Sequence, residues 1–256
     1  MSGSEYANSL YLARISEKTG NYEEAIKYIE KILSVKKNDL TKEEKNILQA
    51  AYKHLFSELR SSWRTLCNVL DRESRQKNCN IRELVENLKN EIETEMNNLC
   101  NKILQLIDEN LLNRVSNIES KIFYLKLKGD YNRYMIEYLK DENLKKEKID
   151  IILNSYNEGL ELSKKLSFTN EIKLGLILNF GVFYNDNLND PKNALNITSD
   201  IYEGLIKEID NLDDKQYKII NNIANLLKEN IDNWKLSLPE LNNENTVEEK
   251  KVAEMV

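Results

Sequence analysis

After Leu40 the chain reads Thr41-Lys42-Glu43-Glu44 and then continues through NILQAAYKHLFSELRSSWRTLCNVLD to residue 71 with neither proline nor glycine. Threonine followed three residues later by glutamate is a capping box, in which each side chain satisfies a free backbone amide at a helix start. An uninterrupted run of that length, with apolar residues recurring at three and four, predicts one unusually long helix. The whole chain shares this lack of punctuation. Its 256 residues include two prolines and seven glycines, too few for the turns a sheet protein needs, so the fold class predicted is all-α.

Read in order, the pattern gives nine helices. Apolar residues recur at helical spacing over 10–16 and 22–35, with Gly20-Asn21 breaking the pattern between them. The long helix to residue 71 follows, then a polar loop around 75–78, then a second long helix over 81–110. Ser116-Asn117-Ile118-Glu119 repeats the capping-box pattern ahead of a helix over 121–139. Further helices are expected over 144–166, 170–187, 191–209 and 213–234; Asp190-Pro191 and Leu212-Asp213 supply caps, a first-turn proline and a staple residue. Short connections between antiparallel helices predict a curved helical layer. GNYEEAIKYI and KGDYNRYMIEY sound like tetratricopeptide helices, but no fixed repeat period holds along the chain. Beyond Pro239 the segment LNNENTVEEKKVAEMV has little to bury, so residues 236–256 are expected to form a flexible charged tail to a domain over 1–235.

Composition narrows the function. A net charge of -6 argues against nucleic-acid binding. No apolar run is long enough to span a bilayer, and MSGSEYANSLYLARISE lacks the charged start and apolar core of a signal peptide. A soluble, cytoplasmic protein, with the nucleus as a second location, is the expectation. Cys67, Cys79 and Cys100 contain no C-x-x-C pair and fit free thiols in a reducing compartment. His54 is the single histidine and no glycine-rich phosphate loop occurs, so neither an enzyme nor a metal or cofactor site is expected.

The helix over 121–139, KIFYLKLKGDYNRYMIEYL, carries the chemistry. Lys126, Asp130, Arg133 and Glu137 fall at i, i+4, i+7 and i+11, which places four charges on one stripe of an otherwise apolar and aromatic helix. Lys121, Lys128 and Asn132 form a plainer polar arc expected to touch solvent. The stripe reads either as an internal salt bridge in a core helix or as a row of cations facing an anionic ligand. On the long third helix Lys53 and Arg60 are seven apart and share a face. With Arg133 they supply three cations to one dianion, and Tyr134 adds a hydroxyl. Spacing alone leaves open a solvated face of unrelated charges.

AYKHLFSELRSSWR, KIFYLKLKGDYNRYMIEY, IKLGLILNFGVFYND and LLKENIDNW resemble the signature segments of the 14-3-3 proteins, in that family's order and at similar separations. The resemblance implies a cup-shaped domain of nine antiparallel helices. In it helices one to four serve dimerisation, and helices five to nine, with the third, line a concave groove for phosphoserine or phosphothreonine peptides of client proteins. It places phosphate contacts on Lys53, Arg60, Arg133 and Tyr134. Contacts to the peptide backbone and its neighbours fall on Lys126, Asn179 and Asn230, and the opposite wall on Leu178, Val182, Ile223, Leu226 and Trp234; the residues by themselves also read as ordinary core packing, and for Trp234 alone that is the favoured reading. Departures are Asn222 at an apolar wall position and Asp186 where the family carries glutamate.

The resemblance also implies a homodimer through Ile15, Thr19, Leu66, Val69 and Leu88. A usual arginine is Asn21 here and a usual lysine is Glu91, leaving Glu24 to face a carboxylate, so a weaker or altered dimer is expected. Ser62 matches a position where phosphorylation disrupts the dimer, against the plainer reading of a buried small polar residue. The tail, through Ser237 or Thr246, is a candidate for folding back over the groove. The rival reading of the whole chain is a tetratricopeptide-like scaffold that binds unphosphorylated peptides or protein surfaces.

Overall fold

A computed structural model describes residues 3–76 and 79–238. The described residues form nine α-helices and no strand: α1 Gly3–Lys18, α2 Tyr22–Val35, α3 Lys42–Gln76, α4 Cys79–Leu106, α5 Ile118–Ile136, α6 Glu142–Ser163, α7 Glu171–Val182, α8 Pro191–Glu208 and α9 Asp214–Leu236. None of them is long and apolar enough to cross a membrane. The chain divides into two compact units, Met1–Ile152 and Leu153–Val256.

In the first unit consecutive helices pack on one another, α1 on α2, α2 on α3, α3 on α4 and α4 on α5. Their shared core holds Ile29, Ile32, Leu48, Tyr52, Met96, Ile103 and Tyr124, all fully buried. The capping box at the start of α3 forms as the sequence predicts: Thr41 N donates to Glu44 Oε2 at 2.6 Å and Glu44 N to Thr41 Oγ1 at 3.3 Å. Glu44 has no exposed surface, so its charge needs further partners. It accepts from Lys36 Nζ at 2.6 Å and Tyr6 Oη at 2.8 Å.

Several boundaries differ from those predicted. With no breaker to stop it, α3 runs on to Gln76 rather than ending at Asp71, and it absorbs Arg75 from the expected loop; Lys77 and Asn78 lie outside the described residues. The α-helical part of α4 ends at Leu106, and the chain loosens into a π turn over Ile107–Leu111 and a 3-10 turn over Leu112–Arg114. Here side chains compete for helix carbonyls. Asn113 Nδ2 donates to Glu109 O at 3.1 Å, and Arg114 reaches the end of α2 at Leu33 O, 2.8 Å, and Lys36 O, 2.5 Å. The cap of α5 is Asn117, which accepts from Ser120 N at 2.8 Å. Ser116, expected in that role, instead donates to Asp39 Oδ2 at 3.0 Å.

In the second unit α7, α8 and α9 pack pairwise around Leu174, Ile177, Leu205, Ile220 and Leu227. Asn170, Asp190 and Asp213 cap α7, α8 and α9 through their side-chain oxygens. The predicted helix over 170–187 keeps α geometry only to Val182; Phe183–Asn187 form a π turn. Two close approaches depend on glycine. A Cβ on Gly204 would lie 2.6 Å from the ring of Phe168, and one on Gly181 would lie 2.6 Å from Cη2 of Trp234 and 2.8 Å from Cγ2 of Thr198.

Candidate functional site

The site is built on α3 and α5 of the first unit. Of the nineteen residues of α5, twelve are buried, so its charged groups need partners or a solvent-facing seam. Lys126 and Asp130, one turn apart, pair at 2.6 Å with their side chains 12% and 5% exposed. Glu137, two turns further on, takes Arg60 from α3 in a two-point fork. Nε of Arg60 donates to Oε2 at 2.6 Å, and Nη2 donates to Oε1. The stripe therefore holds an ion pair within α5 and a clamp to α3, the first of the two readings left open by spacing.

Tyr134 sits at the centre. Its ring stacks on Phe56 of α3 with centroids 4.7 Å apart and planes 16° from parallel, and the guanidinium carbon of Arg133 lies 4.9 Å from the ring centroid. Burial, reinforced by the Asp130 carboxylate, pushes the phenol up to about 12, while Arg133 and Arg60 pull the other way. The hydroxyl is thus protonated at neutral pH and available as a donor. Arg60 is tied to α5 through Glu137, and Phe56, one turn before Arg60, stacks on Tyr134, so α3 and α5 meet along this stretch. Lys53 is exposed on α3, two turns before Arg60 on the same face.

Asn132 is not on a solvent arc. It is 2% exposed, and its Nδ2 donates to Lys128 O at 2.8 Å. Sequence reasoning placed Glu137 on the stripe without naming Arg60 as its partner, and it missed Phe56 as the support beneath Tyr134. For Phe56, its position one turn before Arg60 was the available signal.

The remaining peptide-binding candidates belong to the second unit. Leu178 and Ile223 are partly buried against the core of α7, α8 and α9. Val182 packs on the cluster of Ala194, Leu195, Ile231 and Trp234. Asn179 and Asn230 are half-buried, Leu226 is 50% exposed, and Asn222 is exposed. Exposed Asp186 accepts from Asn185 Nδ2 at 2.8 Å. Trp234 is 4% exposed, with its ring edge against the backbone of Gly181. It belongs to the core that supports α7 and α9, and offers a ligand little surface.

Of the dimer candidates, Ile15 and Leu88 are exposed large apolar residues, Leu66 and Val69 are half-buried, and Thr19 is exposed, its hydroxyl donating to Ile15 O at 2.9 Å. Tyr11, Leu12, Ile81 and Leu84 add exposed apolar surface on the same two helices, α1 and α4. Glu24 pairs with Lys27, on the same helix, at 2.5 Å. Ser62 is exposed, not buried. Thr246 and residues 239–256 of the tail lie outside the described residues. Among the described residues no cluster of three or more His, Cys, Asp or Glu stands close enough to hold a metal ion.

The described residues are helical, with Arg60 held by Glu137 and Arg133 lying over the ring of Tyr134 where α3 meets α5. Comparison with known proteins supplies the family. The family model described as 14-3-3 protein matches residues 12–235. The 14-3-3-like protein F of Nicotiana tabacum is 36% identical over 247 residues, covering 95% of this chain and 94% of the relative. The 14-3-3 protein 2 of Solanum lycopersicum is 36% identical over 228 residues, 88% of this chain and 89% of its own. The 14-3-3-like protein GF14 chi of Arabidopsis thaliana is 36% identical over 227 residues, 88% and 85%. The chain belongs to the 14-3-3 family.

Proposed function

We propose that this chain is an adaptor, not an enzyme, that binds phosphoserine or phosphothreonine segments of client proteins through Lys53, Arg60, Arg133 and Tyr134. The observation that carries the reading is that Arg60 of α3 is clamped to Glu137 at the end of α5, while Arg133 lies over Tyr134, whose ring stacks on Phe56 one turn before Arg60, since a dianion needs cationic donors from more than one direction. Lys126 contributes from α5, and Asn179 and Asn230 supply amides able to donate to and accept from a peptide backbone. Leu178, Val182, Ile223 and Leu226 provide apolar surface for its side chains, with Trp234 as their support and Asp186 in the π turn that follows α7. The protein acts as a homodimer joined through α1, α3 and α4.

Titration of matched phosphorylated and unphosphorylated peptides against wild type, Lys53→Glu and Arg133→Ala tests this. Each charge-assisted hydrogen bond contributes roughly 1.5–3 kcal/mol. The phosphorylated peptide is therefore expected to bind at least about a hundredfold more tightly to wild type, and each variant to lose about ten- to a hundredfold of that affinity. Equal affinity for the two peptides would replace this reading with that of a phosphate-independent helical scaffold.

A further inference from the structure

We infer that Glu137 is a positioning residue for the phosphate-binding arginine, holding Arg60 by its inner edge so that its outer edge is aimed at an arriving dianion. The inference rests on the proposed phosphopeptide site and extends it to a residue outside the predicted phosphate contacts. A guanidinium carries five N–H donors. Glu137 uses one on Nε and one on Nη2 of Arg60, which leaves the Nη1 pair and the second Nη2 hydrogen at the tip. The Arg60 side chain remains 30% exposed while that of Glu137 is 17% exposed, so the acid lies on the inner side of the pair and the guanidinium on the outer. A ligand phosphate and Glu137 therefore need not compete for the same donors.

Charge makes the same point. The guanidinium of Arg133 lies 4.9 Å from the Tyr134 ring, and that ring stacks on Phe56, one turn before Arg60, so two like charges stand on facing stretches of α3 and α5 before any ligand arrives. Such crowding would drive a long, flexible side chain out toward water. The Glu137 carboxylate offsets it for Arg60, just as Asp130 does for Lys126 at 2.6 Å. Two acids inside a site for an anion would be counterproductive as free charges; each is instead taken up by a cation, which preorganises the donors that remain.

The test is a double-mutant cycle of Glu137→Gln with Arg60→Ala, read as affinity for the phosphorylated and unphosphorylated forms of one peptide. Melting temperature and helical content are followed alongside. Alone, Glu137→Gln is expected to weaken phosphopeptide binding about tenfold and to leave the unphosphorylated form within about twofold. Glu137→Asp, which keeps the charge on a shorter arm, should recover part of the loss. In the Arg60→Ala background the effect of Glu137→Gln should vanish or reverse, because the carboxylate is then an unpartnered negative charge beside the phosphate. A tenfold loss that persists without Arg60 would show a merely structural role and overturn the inference. So would tighter phosphopeptide binding by Glu137→Gln alone, which would make Glu137 a competitor of the ligand. Failure of wild type to prefer the phosphorylated peptide would be visible in the first arm, and would remove the site reading together with this inference.

Discussion

Asp39, in the connection between α2 and α3, is 8% exposed and ties that connection to α5. Its carboxylate accepts from Tyr124 Oη at 2.6 Å, Ser116 Oγ at 3.0 Å and Lys45 Nζ at 3.1 Å. Burial alone would raise its pKa, but the hydrogen bonds from Ser120, Tyr124, Lys45 and Ser116 outweigh it and bring the carboxyl from 3.8 down to about 2. A depressed acid stabilises the fold above its unfolded pKa, and that contribution is lost as pH falls from near 4 through about 2. A shift of this size corresponds to about 2 kcal/mol. Asp39→Asn is expected to destabilise the protein at neutral pH and to flatten the pH dependence of its denaturant midpoint between pH 5 and pH 2. Equal slopes for wild type and variant would refute the assignment. At this scale the sequence was legible where a residue's role follows from its own helix: the seven-residue interval from Lys53 to Arg60 puts both on one face. The role of Glu137 was not legible, because its partner lies seventy-seven residues away on another helix.

At the scale of elements, local chemistry predicted starts better than stops. Thr41 and Glu44 close their box as read, and Asp190 and Asp213 cap as read. Ser116 loses its expected role because a distant acceptor, Asp39, claims its hydroxyl, and Asn117 caps α5 instead. The end of α4 escaped sequence reading for a similar reason, since Arg114 anchors it to carbonyls of α2. Close packing of α7 on α9 turns on Gly181, where any side chain meets Trp234 and Thr198. Overpacking of this kind costs about 1–3 kcal/mol. Gly181→Ala is accordingly expected to lower the melting temperature by several degrees and to shift Trp234 fluorescence to the red in a Trp63→Phe background as the indole is displaced. An unshifted spectrum and melting point would show that the helices part without cost.

For the whole molecule, the open question is self-association. Leu84 is 69% exposed, Leu88 47% and Ile15 39%, more apolar surface than α1 and α4 need for their own packing. Glu24 pairs with Lys27 on its own helix, and Glu91 is exposed on α4. The prediction is a reversible dimer with a dissociation constant above the nanomolar range. Leu88→Glu should raise that constant by about ten- to a hundredfold, the equivalent of one large apolar side chain left unburied. Sedimentation velocity from nanomolar to micromolar concentration measures both; an unbroken dimer at nanomolar concentration, or an indifferent Leu88→Glu, would defeat the proposal.

By itself the sequence determined the all-helical class, the number of helices, most of their capped starts and the face each charged side chain would occupy, because these depend on residues within a few positions of one another. The four signature segments also carried the family. Only the tertiary structure decided that Arg60 is clamped by Glu137, that Tyr134 rests on Phe56 and that Asn132 is interior. Each of these depends on which face of one helix meets which face of another, and on the competition among distant groups for the same donors and acceptors. Helical periodicity does not encode that pairing.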